Sequence, residues 1–198
     1  MVLVSLFILF IVLVLSSPPL PNIPSDFVLL QNASFFQFVP NADGWMMGTG
    51  WIKTANIQGF GFVTHWRCFG VAPAEGAVLS RYDLNVSFYL FNATGDSGWS
   101  SCVQIPIGTQ QFPWGFLETA VYVGKGKSDI GNCETDTWST NLPSNMSAVS
   151  VCSGTNVPVY ASQFTSRYFA GGNVVSFDSQ PNKSLFDIPI VCEKSTVY

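Results

Sequence analysis

From residue 26 onward the apolar residues of this chain recur at every second position in short runs, and no stretch carries a convincing 3.6-residue stripe of a helix. That period commits the chain to extended strands with one face turned inward. In Leu84–Phe91, LNVSFYLF, it sets Leu84, Val86, Phe88 and Leu90 against Asn85, Ser87 and Tyr89. Phe60–Phe69 divides likewise into Phe60, Phe62, Thr64, Trp66 and Cys68 against Gly61, Val63, His65 and Arg67, and the first set reads as core. Turn formers cut the runs at Asn41-Ala42-Asp43-Gly44, at Asn92–Gly98 (NATGDSG) and at Gly124–Asn132 (GKGKSDIGN).

The strands expected are 26–30, 34–39, 60–69, 84–91, 99–107, 116–123, 147–152, 157–164, 173–177 and 185–192. In the last, Phe186, Ile188, Ile190 and Cys192 share a face, and Pro189 marks an edge or a bulge. Strands of this number and spacing predict an all-β fold, an antiparallel β-sandwich of jelly-roll type, as one domain over 26–198. With 47% hydrophobic and 15% aromatic residues in 198, the body has enough apolar material for a core. Charged residues are only 10%, with a net charge of -4 and no basic cluster, which argues against nucleic acid as a partner.

Ahead of the body stands MVLVSLFILFIVLVL, residues 1–15, apolar except for Ser5, in an N-terminal segment 1–16. It is shorter than the roughly 20 residues of a membrane helix and has the length of a signal-peptide core, with Val14 and Ser16 as small residues for cleavage. No Lys or Arg follows Met1, so the positive start of a signal peptide is only the amino terminus. Two readings stand: a signal peptide in transit through a membrane, or a retained assembly arm whose contacts are Val2, Val4, Leu6, Phe7, Ile8, Phe10, Ile11 and Leu13. The Pro-rich stretch 17–25 is then a stiff linker.

Five N-x-[ST] acceptors, at Asn32, Asn85, Asn92, Asn145 and Asn182, point to N-linked glycans and an extracellular address, secreted or at the cell surface. Five cysteines without a C-x-x-C pair suit disulfides better than zinc. Cys133–Cys152, the closest pair across a turn-rich loop, is the favoured bond, and Cys68 with Cys102 is the second pair expected.

The chemistry of catalysis is thin. Gly95-Asp96-Ser97-Gly98 resembles the nucleophile segment of chymotrypsin-like serine proteases over four residues, but Trp99-Ser100 follows where that family has Gly-Pro. The likeness reduces to an Asp-Ser-Gly turn. Ile190–Lys194 resembles the last strand of C-type lectin-like domains over five residues, with the wrong cysteine spacing. Gly126-Lys127-Ser128 lacks the leading glycine of a P-loop, since Val121 occupies its place. A single histidine, His65, leaves no His-based metal site, and it reads as a rim residue. Glu134 with Asp136, and the loop acids Asp96, Asp129 and Asp178, suggest loop chemistry rather than a paired-carboxylate enzyme or a calcium motif.

The expectation is therefore a non-enzymatic protein without cofactor or metal: an N-glycosylated structural subunit of a surface filament, coat or matrix. It forms a homo-oligomer or helical polymer, with the apolar segment buried in a neighbour. The alternative is a secreted lectin-like carbohydrate-binding or adhesion module with a cleaved signal peptide, stacking sugar on Trp45, Trp51, Trp99, Trp114 or Trp138.

Overall fold

A computed structural model describes residues 17–39, 44–70, 74–92, 98–107, 113–140, 145–165 and 168–193. The eight assembly contacts of segment 1–16 and the loop containing Ser97 lie outside them. The fold is all-β. Eleven strands form it: β1 (Phe27–Val39), β2 (Gly44–Ile57), β3 (Gly61–Gly70), β4 (Ala74–Arg81), β5 (Val86–Asn92), β6 (Ser101–Pro106), β7 (Val121–Ser128), β8 (Cys133–Ser139), β9 (Asn145–Cys152), β10 (Pro158–Thr165) and β11 (Tyr168–Asp178). They pair antiparallel in one sheet, in the order β6-β5-β4-β3-β2-β1-β11-β10-β9-β8-β7. β1 to β6 meander from the middle to one edge, β7 to β11 run from the other edge back to the middle, and β11 closes onto β1.

Two packed sheets of a jelly roll were expected, and one continuous ladder is observed. Alternation says that a strand has a covered face; it does not say that the cover is a second sheet. Here the covers are short irregular segments, and they lie on opposite sides of the sheet. On the front face Ala55, Ala77, Leu79, Val86, Phe88 and Leu90 pack beneath Phe186 and Cys192 of the C-terminal strap. On the back face, across β7 to β11, Trp138, Val149 and Val151 pack with Leu117 of the 3-10 turn Gly115–Thr119 and with Ile23 of the Pro-rich stretch. Strand β1 belongs to both: Phe27 and Leu29 join Val174 on the back, while Val28 packs on the front core.

The expected strands 26–30 and 34–39 are one strand, β1, the expected turn 124–132 is strand as far as Ser128, and three further elements differ. Strand β3 has the phase opposite to expectation, because Val63 pairs with Ala55 and Leu79 on the covered front face. Phe62, Trp66 and Cys68 therefore point to the back. The expected strand 185–192 is a 3-10 turn Lys183–Phe186 and a short helix Ile190–Glu193. The Asn182 side chain accepts the Ser184 N–H and starts the turn, Pro189 lacks a ladder donor, and Phe186 is fully buried. In 116–123 the first residues belong to a 3-10 turn, and the strand begins at Val121.

Two glycines let neighbouring backbone approach closely in the long central strands. Ala33 pairs with Gly50 on one side and Gly172 on the other, all pointing to the back. A Cβ on Gly50 would stand 1.8 Å from the Arg67 carbonyl oxygen, and one on Gly172 1.8 Å from that of Asn32. Backbone comes so close here that only hydrogen fits. Above this row the buried Gln31 amide donates to the Ala161 and Gly172 carbonyls at 2.9 and 3.2 Å, satisfying its buried nitrogen.

The open sheet has two free edges, each poorly suited to pairing. β6 is short and ends in Pro106. β7 carries Lys125 and Lys127, and its register breaks between Tyr122 and Gly124. Charge, proline and irregularity of this kind discourage edge-to-edge growth.

Candidate functional site

Beyond the edge of the C-terminal strap the front face turns polar and aromatic. Cross-strand register sets Asn173, Asn32, Trp51, Arg67, Glu75 and Asn92 side by side from β11 to β5. The next row holds Lys53, His65 and Ala77. Side chains opposite one another stand roughly 4.5–5.5 Å apart at Cβ, so these groups form one surface.

His65 is its centre. The Trp51 ring meets it at 4.6 Å and 78°, and Trp99, from the β5–β6 connection, at 5.0 Å and 60°. Both are edge-to-face geometries that suit aromatic quadrupoles. The Nε2 of His65 lies 2.6 Å from Glu75 Oε1. In this contact the Nε2 N–H donates and the carboxylate oxygen accepts. The expected rim histidine is thus a half-enclosed group held on three sides. Beside it Arg67 lies over the Phe69 ring at 5.4 Å, and a shallow groove of about 420 Å³ opens between Asn32, Ser34, Thr49, Trp51 and Phe69. Its size falls at the lower end of the roughly 300–1,000 Å³ of small-ligand sites.

The other sequence candidates disperse. Trp138 is buried in the back core and Trp114 packs against it, so neither offers a ring to a ligand. The Trp45 side chain lies outside the described residues. Asp136 is buried and accepts the Tyr122 hydroxyl at 2.9 Å, whereas Glu134 is exposed, so the two do not act as a pair. Burial first, then this bond, holds the Tyr122 phenol above its ordinary pKa. Asp129 and Asp178 are exposed and separate, and Asp96 lies outside the described residues. Among the described residues no three His, Cys, Asp or Glu side chains gather as a metal site would require.

Cys133 is bonded to Cys152, and Cys102 to Cys192 rather than to Cys68. The correction has a simple cause: Cys102 pairs with Leu90 on the front face, while Cys68 pairs with Gly50 and points to the back. A sheet separates the two thiols. Cys68 stays free, and burial raises its pKa. Two disulfides suit an oxidising compartment.

Of the five N-x-[ST] asparagines, Asn32, Asn85 and Asn182 are exposed and Asn92 is buried; the Asn145 side chain lies outside the described residues. Asn85 sits at a left-handed corner, φ 55°, and Asn182 at the start of a 3-10 turn. Local sequence does not reveal the His65–Glu75 contact or the placement of Trp51 beside Asn32, because both follow from the phase and register of β2 to β4.

No protein-family model matches the chain, and no curated protein matches it. Among solved structures it is similar to the Pseudomonas aeruginosa MucA/MucB complex, with 6% identity, TM-score 0.40 and coverage of 83% of this chain and 56% of that one. It is also similar to a putative outer membrane lipoprotein-sorting protein domain from Vibrio parahaemolyticus, at 7% identity, TM-score 0.34 and coverage of 81% and 89%. A third likeness is to PNGF-II, at 9% identity, TM-score 0.33 and coverage of 86% and 30%. This chain therefore spans little more than half of the first of these and under a third of the last. All are distant.

Proposed function

We propose that the chain is an extracellular, N-glycosylated structural protein, a subunit of a surface filament, coat or matrix. In it, the apolar segment 1–16 of one copy lies on the uncovered back face of the next. The supporting observation is the half of the back face that no core cluster of the described residues reaches. On the back of β3 to β6 stand Phe62, Trp66, Tyr89, Phe91, Val103 and Ile105, half-buried or exposed, with Phe91 at 45% and Val103 at 38%. Contiguous apolar surface of this kind marks a contact site in a soluble domain.

The segment that fits it is apolar along 1–15 and leads into the Pro-rich linker. That linker is anchored far from the patch: Ile23 is buried on the β8–β9 half, and Asn22 N–H donates to Asn156 Oδ1 at 2.9 Å. From β9 to β3 is on the order of 24 Å across the sheet. An arm that leaves one copy and covers the patch of the next makes a head-to-tail contact, which propagates without closing.

Light scattering and sedimentation of the purified full chain test the proposal. Multimers are expected, and Phe91→Ser with Val103→Ser should return a folded, glycosylated monomer of unchanged Tm. A monomer that keeps residues 1–16, with the arm folded on its own sheet, would overturn it.

A second reading, a glycan-binding module, is favoured by the Trp51–His65–Trp99 cluster. Mass measurement of the mature amino terminus separates them, since a start near Ser17 or Pro18 removes the arm. Loss of binding to immobilised glycans in Trp51→Ala and Trp99→Ala would support the module.

A further inference from the structure

The groove beside Trp51 is lined by a glycan acceptor of the same chain. Asn32, Ala33 and Ser34, the whole sequon, form one wall, with Thr49, Trp51 and Phe69 opposite. Asn32 and Ser34 are exposed on the front face. Asn32 faces Trp51 directly in the register, and Ser34 faces Thr49, which in turn faces Phe69. On the other flank Ser34 faces Gly171, where the Ser162 side chain and the Phe169 ring close the space a Cβ would take, so the opening lies on the Thr49 and Trp51 side. Among the described acceptors Asn32 is the exposed one in the middle of a strand. A sugar at a corner such as Asn85 swings into solvent; one linked to Asn32 starts between two strands.

We infer that the first sugars of an N-glycan on Asn32 lie in this groove, with the core N-acetylglucosamine ring packed against the Trp51 indole. The inference rests on the reading of Asn32 as a glycan acceptor. The sugar presents C–H groups polarised by its ring oxygen, and these meet the negative face of an aromatic ring favourably. The acetamido group has Thr49 and Ser34 hydroxyls within the same groove as partners. The linkage leaves Asn32 Nδ2 within a side-chain length of the indole, so stacking needs no rearrangement of the sheet. The seated sugar covers the remaining accessible side of the half-buried Trp51 and part of the exposed Phe69.

The test uses the full chain made in a secreting eukaryotic cell. Glycopeptide mass reports occupancy at Asn32, Asn85 and Asn182. An endoglycosidase that cuts within the chitobiose core, applied to native protein, reports how accessible each glycan is. Release from Asn32 is expected roughly tenfold slower than from the other two, the factor a stacking contact of ordinary strength supplies. Trp51→Ala should bring it to the common rate, and Trp51→Phe should restore part of the protection.

A measurement on the unmutated protein stands beside this: the acetyl and ring protons of the Asn32-linked sugar should shift upfield from the indole ring current. An occupied Asn32 released as fast as its fellows, with unshifted resonances, overturns the seating and leaves the glycoprotein reading intact. An Asn32 found bare while Asn85 and Asn182 are occupied likewise overturns only the seating. Bare asparagine at all three removes both.

Discussion

The C-terminal strap should depend on its disulfide more than any other part of the molecule depends on a single bond. Cys102–Cys192 links an edge strand to the last helix across 90 residues, whereas Cys133–Cys152 spans 19. In the chain-entropy account a loop of that longer size removes about 4.6 kcal/mol from the unfolded state at 25 °C, and the shorter about 3.2 kcal/mol. Cys192 is also buried in the front core beside Phe186, so its loss takes packing with it. For a domain of this size each kcal/mol moves Tm by about 2–4 °C. Cys102→Ala with Cys192→Ala should therefore lower Tm by roughly 9–18 °C, and Cys133→Ala with Cys152→Ala by roughly 6–13 °C.

Calorimetry of the oxidised wild type and both double variants measures the pair. Limited proteolysis adds a local readout, since a released strap should be cut between residues 183 and 193 before the sheet is touched. The reasoning fails if the short-loop variant loses more stability than the long-loop one. It fails equally if the long-loop variant keeps its Tm, because packing alone would then hold the strap.

Two further outcomes follow from the sheet. Gly50→Ala places a carbon 1.8 Å from the Arg67 carbonyl oxygen, and so should cost about 3 kcal/mol or more in a denaturant titration. Gly126→Ala, whose nearest neighbour is the Thr135 hydroxyl at 3.0 Å, should cost far less. Arg81 donates to both Asp83 oxygens, at 2.8 and 2.6 Å, and these bonds hold the Asp83 carboxyl below its ordinary pKa. A lowered folded-state pKa gives stability that is complete above the unfolded value, near 3.9, and is lost as pH falls through the folded one. Asp83→Asn should thus lower Tm slightly at neutral pH and approach wild type as pH falls through the folded value, the pair being too exposed for a large effect.

How far the fold was legible depended on whether one face of a strand was plainly polar. Leu84–Phe91 was, and Val86, Phe88 and Leu90 are buried where alternation puts them. Phe60–Phe69 was not: both of its faces carry apolar residues, and volume favoured Phe62 and Trp66. What decided the phase was the partner, since Val63 meets the strap through Leu79 and Ala55, and no local rule contains that. The same reversal hid the site, because His65 travels with Val63. It also hid the bonding of Cys102, whose expected partner Cys68 shares the misjudged phase. In 185–192 alternation was real, but Pro189 and the Asn182 cap outweighed it. Strands β2, β4 and β8 have no strand signal in the sequence: glycine and alanine interrupt the apolar runs of the first two, and β8, CETDTWS, is mostly polar.

Opposite-face coverage makes β1 the joint of the molecule, and hydrogen exchange can test that. Phe27 and Leu29 are buried in the back core, Val28 packs on the front core, and β1 is bonded along its length to β2 and β11. Opening β1 therefore disrupts both cores at once, whereas β6 and β7 can fray alone. Amides of residues 27–33 should exchange slowest, at the free energy of global unfolding, and those of the two edge strands fastest. Were β7 to β10 to open at one free energy and β2 to β5 at another, with β1 following the weaker, the two covers would define separate folding units. The sheet would then be continuous in hydrogen bonds but divided in stability.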